Sequence, residues 1–133
     1  MMERYWYRIA YLVALVLLLA ACGGQSPPER TQTMDGITAV LALAPDPPVP
    51  MQTATLTLTL KNTAGQPLMA DEVAFDLTMP AMTMPLNRPT ATETKDGVYQ
   101  AETVFTMAGA WHIQVDVRRG GTSTTFTFDL KTK

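Results

Sequence analysis

A chain of 133 residues is long enough for one domain with one real hydrophobic core, and 47% of its residues are hydrophobic. Its formal net charge of −2, without a basic patch, excludes the electrostatic footprint of a nucleic-acid binder. The single cysteine excludes an intramolecular disulfide and dithiol redox chemistry, so the core alone must hold the fold.

At the N-terminus, Arg4 and Arg8 precede the uncharged run from Ile9 to Ala21, the charged n-region and apolar h-region of a secretory signal. These thirteen residues are too few to span a bilayer, which takes ~20 per helix. The run ends in Leu19-Ala20-Ala21-Cys22, followed by Gly23-Gly24. This ending resembles the bacterial lipobox, in which the cysteine thiol receives a diacylglycerol and signal peptidase cuts just before it. The resemblance implies that residues 1–21 are a cleaved signal peptide and that Cys22 is the lipidated first residue of the mature protein. The product is then held on the extracytoplasmic face of a bacterial membrane, in the cell envelope. Several acyl chains, each contributing ~0.8 kcal/mol per buried methylene, give a stable anchor where one chain would be marginal. Removing Arg4, Arg8 and Glu3 with the signal takes the net charge from −2 to −3.

Residues 22–36 are polar, contain Pro27 and Pro28 and lack apolar periodicity, which predicts a lipidated N-terminus and flexible linker ahead of a domain over 37–133. From there the pattern becomes short alternating segments. Ile37 to Ala44 comes first. In Ala54-Thr55-Leu56-Thr57-Leu58-Thr59-Leu60 apolar and polar residues swap strictly, so one face of a strand is apolar and the other a threonine ladder. Val73 to Met79, Thr90 to Thr94, Val98 to Phe105, Trp111 to Val117 and Thr122 to Leu130 follow, making about seven strands. Asp96-Gly97 and Gly120-Gly121 supply residues that tolerate φ > 0 in tight hairpins. The proline-containing stretches Ala44–Pro50 and Asn62–Pro67 read as loops. No segment after the signal shows helical periodicity. The pattern predicts an all-β, immunoglobulin-like antiparallel β-sandwich without the Cys-Trp-Cys core of true immunoglobulin domains. Trp111, Phe75, Tyr99, Phe105, Phe126 and Phe128 are the candidate core aromatics, with Trp111 expected beside Phe75 or Phe126.

Catalytic residues are scarce: His112 is the one histidine, and no serine stands in a recognisable motif, so enzymatic activity is not expected. Methionine stands out instead. Met34, Met51, Met69, Met79, Met82, Met84 and Met107 survive processing, and three of them form Met79-Pro80-Ala81-Met82-Thr83-Met84-Pro85. Thioether sulfur is neutral and soft, a poor ligand for zinc or magnesium and a reasonable one for Cu(I). A proline-bracketed loop can turn such sulfurs to one point, and His112 could add an imidazole nitrogen. Other roles stand beside these. Met79 continues the inward set Val73, Phe75 and Leu77 and fits a core position; Met82 and Met84 fit an apolar patch for a protein partner. His112 alternates outward with Gln114 and Asp116, and Met107 fits packing against Trp111.

Met79-Pro80-x-Met82, then Asp96-Gly97-x-Tyr99, then Met107-x-Gly109-x-Trp111 together resemble the YtkA-like and FixH-like group of small extracytoplasmic domains, over about residues 37 to 131. The resemblance implies an immunoglobulin-like sandwich, and it makes copper handling, with a copper-protein or oxidase-assembly partner, an expectation. Thr83 and Met84 stand where a histidine is common in that group. Two functions follow as expectations. One is a membrane-anchored module that captures or delivers Cu(I) through Met79, Met82, Met84 and His112; the other is a non-metal adaptor that contacts another envelope protein. The anchor is testable by itself: Cys22→Ser should abolish fatty-acid labelling and release or misprocess the protein, as read by membrane fractionation.

Overall fold

A computed structural model of the chain describes residues 29–133; the expected signal peptide, Cys22 and the first part of the expected linker, residues 23–28, lie outside the described residues. Among the described residues every regular element is a strand. In chain order these are β1 (Arg30–Met34), β2 (Ile37–Ala44), β3 (Thr53–Lys61), β4 (Glu72–Thr78), β5 (Thr92–Lys95), β6 (Val98–Val104), β7 (Ala110–Arg119) and β8 (Thr122–Lys131). All pairings are antiparallel, in a five-stranded sheet ordered β1-β2-β3-β6-β5 and a three-stranded sheet ordered β4-β7-β8.

The strict alternation in the sequence becomes strict alternation in burial. Leu56, Leu58 and Leu60 of β3 are inaccessible to solvent, while the intervening threonines face outward. The opposing face comes from Val73, Phe75 and Leu77 of β4, Trp111, Ile113, Val115 and Val117 of β7, and Phe126, Phe128 and Leu130 of β8. Because side chains point to opposite faces with a period of two, each strand contributes one apolar face to the space between the sheets. The hairpin turns are as predicted. Gly97, at φ 72°, also allows a close approach: its carbonyl accepts the Leu60 N–H at 2.8 Å, and a Cβ there would stand 2.9 Å from the Leu60 carbonyl oxygen.

Three features depart from the sequence-based expectations. The stretch read as linker ends in a strand, since β1 pairs with β2 from Arg30↔Leu41 to Met34↔Ile37, and the strands number eight. Trp111 does not pack on Phe75 or Phe126 as its ring partner but meets Phe105 edge to face, at 5.1 Å between centroids and 88° between planes. It is the second residue of β7 and so sits at one end of the sandwich, where Phe105 follows β6. Met107 is exposed, and its backbone carbonyl accepts the Trp111 indole N–H at 3.1 Å.

The open sides of the sandwich are closed by side chains and irregular backbone. Residues 87–91 run back along β4, with Leu77 N–H donating to the Asn87 carbonyl and Phe75 N–H to the Pro89 carbonyl, both at 3.0 Å. Asn87 then reaches across to β6, donating to the Val104 carbonyl at 3.3 Å and accepting from the Thr103 hydroxyl at 3.1 Å. On the other side the Gln32 amide of β1 bonds both the N–H and the carbonyl of Thr127 in β8, standing in for a peptide group.

Tyr99 ties the long β3–β4 connection to the core. Its hydroxyl accepts the Ala70 N–H at 2.7 Å and offers its proton to Glu93 Oε1 at 3.1 Å and the Ala70 carbonyl at 3.2 Å. Burial, followed by the Glu93 carboxylate, holds this phenol above its ordinary range. A phenol whose folded pKa exceeds its unfolded value contributes stability below pH ~10 that is lost as pH rises further, because only the unfolded chain then releases the proton. Tyr99→Phe should cost ~1–3 kcal/mol at neutral pH, from the groups it orphans. It should also flatten the alkaline fall in the urea midpoint, which denaturation at a series of pH values will read.

Candidate functional site

One end of the sandwich gathers three loops: residues 45–52 between β2 and β3, 79–91 between β4 and β5, and 105–109 between β6 and β7. Antiparallel order puts them together, and hydrogen bonds knit them. Met51 N–H donates to the Phe105 carbonyl at 2.8 Å, and Gly109 N–H to the Thr132 hydroxyl at 2.9 Å. That hydroxyl donates in turn to the Met107 carbonyl at 3.1 Å, beside the Trp111 indole. Of the seven methionines among the described residues, Met51, Met79, Met82, Met84 and Met107 all stand at this end. Sequence reasoning identified the three that are close in the chain; Met51 and Met107 join them only through topology.

The three loop methionines have different environments. Met79 belongs to the core, and its terminal methyl lies over Gly109, 3.0 Å from where a Cβ would stand. Gly109 has φ 136°, a conformation L side chains rarely adopt, so glycine here serves both the turn and the methionine above it. From Met79 the chain turns tightly, Met82 N–H reaching the Met79 carbonyl at 3.3 Å. Met82 is exposed at the tip, and Met84 is half-buried against the core.

His112 lies on the outer face of the three-stranded sheet, as alternation predicts, between Thr78 of β4 and Asp129 of β8 in register. Its Nδ1 meets the Asp129 carboxylate, leaving Nε2 as the second ring nitrogen. Thr78 immediately precedes Met79, so the imidazole stands at the root of the methionine loop; Met79, however, turns into the core while His112 turns to solvent. The accessible thioethers of the loop are therefore those of Met82 and Met84. Among the described residues no group of three or more His, Cys, Asp or Glu side chains converges as a metal site, which leaves the thioethers as the soft donor set. An open concavity of about 1030 Å³ lies at the opposite end, lined by Asp35, Asn62, Met69, Asp96 and Arg119 among others, far from the methionine loop.

The model of the family described as YtkA-like matches residues 31–116, well over half of the chain. The chain belongs to the YtkA-like family. The matched region opens within β1 and ends within β7, so the strand that composition hid belongs to the family's domain. The crystal structure of a DUF4426 family protein from Pseudomonas aeruginosa PAO1 is similar, with a TM-score of 0.55 and 11% identity over 77% of this chain and 93% of that one. At that identity the likeness shows the fold alone, and it is the same all-β architecture. No match is found among curated proteins.

The contrast within the loop is measurable. Met79→Ala should destabilise the YtkA-like domain by ~2–5 kcal/mol, as deletion of a core methionine does. Met82→Ala should stay within ~0.5 kcal/mol of wild type, as exposed positions do. Urea denaturation of the two variants side by side checks both.

Proposed function

We propose that this YtkA-like protein is a membrane-anchored, extracytoplasmic binding module that captures or delivers Cu(I) through its methionine loop. The carrying observation is that Met82 and Met84 stand reachable on a short turn whose root, Met79, is fixed in the core, so the loop presents thioethers without needing the sandwich to move. Neutral soft sulfur suits Cu(I), and outside the cytoplasm a thioether survives conditions that oxidise a thiolate. Met82 and Met84 would hold the ion, with Met79 fixing the root of the loop in the core. His112 would contribute through Nε2 at the margin of the loop, its ring oriented by Asp129. The chemistry is capture of a cargo ion, and no side chain is asked to move a proton.

A second reading has its own observation. Leu86 is 79% exposed and carries no donor atom, as befits an adaptor surface for another envelope protein more than a metal loop. Substitution of Met82 and Met84 together by leucine separates the two. The swap conserves volume and should cost under ~1.5 kcal/mol of stability, while deleting both ligands. Competition titration with Cu(I) under reducing conditions, with Cu(II) and Zn(II) as controls, should show binding by wild type and its loss in the double variant. Equal affinity in both, or binding by neither, removes copper and leaves the adaptor.

A further inference from the structure

The two ends of the sandwich are finished differently. At the methionine-rich end the inward-facing rows close on the buried ring pair of Trp111 and Phe105. At the opposite end they run out into polar residues. Along β7 the buried series Trp111, Ile113, Val115 and Val117 is continued by Arg119, and along β8 the buried Phe126 is preceded by Thr124 and Thr122. These three polar residues line the open concavity of about 1030 Å³, whose apolar surface comes from Ile37, Leu68 and Met69. A charged side chain at the end of a buried row is an informative exception. Ion pairing then sets Arg119 apart. Among the described residues the other arginines each hold a carboxylate: Arg30 on Asp46, Arg88 on Asp76 and Arg118 on Glu72. Arg119 has none within reach among them, although Asp35 and Asp96 line the same concavity, and neither aspartate has a cationic partner there. The Arg119 Nε–H donates to the Met69 carbonyl at 3.1 Å, which steadies the guanidinium and leaves its terminal nitrogens free to donate. Asp35 is steadied too, one oxygen accepting the Thr124 hydroxyl at 3.4 Å. Charges of both signs thus line one concavity without neutralising one another.

We propose that this concavity binds a short peptide with free termini, its C-terminal carboxylate on Arg119 and its N-terminal ammonium on Asp35 and Asp96. The terminal nitrogens of a guanidinium offer paired donors that match a carboxylate. An α-amino group is protonated at neutral pH and supplies the cation that the two aspartates lack. A lone anion would meet two carboxylates, and a lone cation would meet the guanidinium; a ligand carrying both charges satisfies the whole lining. Size then chooses among zwitterions. The concavity stands at the upper end of the ~300–1,000 Å³ usual for small-molecule sites, which is more than one amino acid fills and room for several residues. Ile37, Leu68 and Met69 offer the peptide's side chains an apolar surface. The site lies at the other end from Met82 and Met84, so it does not depend on copper.

The test is calorimetric titration of the mature protein, purified from membranes in detergent, with the tripeptide alanyl-leucyl-alanine. The same peptide is also used with its C-terminus amidated, with its N-terminus acetylated, and with both ends blocked; free leucine is the size control. Wild type should bind the free tripeptide. Each single block should weaken binding by about tenfold or more, as loss of one charge-assisted contact does. Arg119→Gln should bind the free and amidated peptides alike, and Asp35→Asn combined with Asp96→Asn should bind the free and acetylated peptides alike, because each variant removes the partner of the blocked group. Asparagine suits both turns, Asp35 standing at φ 52° and Asp96 before Gly97, and urea midpoints check the fold. The blocked peptides read the same contacts in wild type, so a variant that fails to fold leaves the test intact. No binding of the free tripeptide overturns the site. Binding that survives amidation or acetylation undiminished overturns the assignment of the termini, and leucine bound as tightly as the tripeptide overturns the assignment to a peptide.

Discussion

The bond from the Trp111 indole to the Met107 carbonyl is the constraint on which the methionine-rich end of the molecule depends. Tryptophan is large enough to fill the end of the sandwich against Phe105, but its N–H must find an acceptor once buried. The acceptor is backbone in the corner between β6 and β7, so filling the core and folding the corner are one event. That corner then receives the other loops: Met51 N–H on the Phe105 carbonyl, the Thr132 hydroxyl on the Met107 carbonyl, and the Met79 methyl over Gly109. Three connections from distant parts of the chain are positioned by one aromatic side chain and the glycine two residues before it.

Without a disulfide, the sheet edges also need non-covalent closure. A two-sheet sandwich leaves unpaired N–H and C=O groups on its outer strands, a liability for edge-to-edge association. Here side-chain amides complete the ladders. Asn87 covers β6 where β5 has ended, and Gln32 covers β8 from the neighbouring sheet. Both residues belong to segments that look structureless by composition. The fork of Arg30 on the nearly buried Asp46 fixes the start of β1, and with it the height at which Gln32 meets Thr127. Breaking such a buried pair on one side leaves a charge uncompensated, so the closure and the entry of the chain are coupled.

What could be read in the sequence was whatever a single strand's own alternation encodes. β2, β3, β4, β6, β7 and β8 each carry an apolar face in step with the pleat, and their glycine turns carry φ > 0 as their residue types require. β1 was hidden because Arg30-Thr31-Gln32-Thr33-Met34 is an edge strand with no buried position; what makes it a strand is its neighbour, not its pattern. The run 87–91 was hidden by Pro89, whose carbonyl nonetheless accepts from β4 although its nitrogen cannot donate. The methionine loop was legible as a run of residues, but its division into buried, half-buried and exposed members was not, because the depth of Met79 depends on Gly109 thirty positions later in the chain.

The gathering of methionines at one end of the sandwich has a physical logic. Histidine or carboxylate side chains would carry charge or a strong hydration shell, and drawing them towards the core would incur the cost of desolvation. Thiolates would be open to oxidation. A thioether is as apolar as leucine for packing or for resting at an interface, yet it keeps a soft lone pair for a soft ion. One side-chain type therefore serves core filling at Met79, partial packing at Met84 and exposure at Met82, Met51 and Met107 without changing the charge of the surface. The division of labour is set by depth alone: whichever sulfur the fold leaves at the surface keeps its lone pair accessible, and whichever it draws inward holds the loop in place.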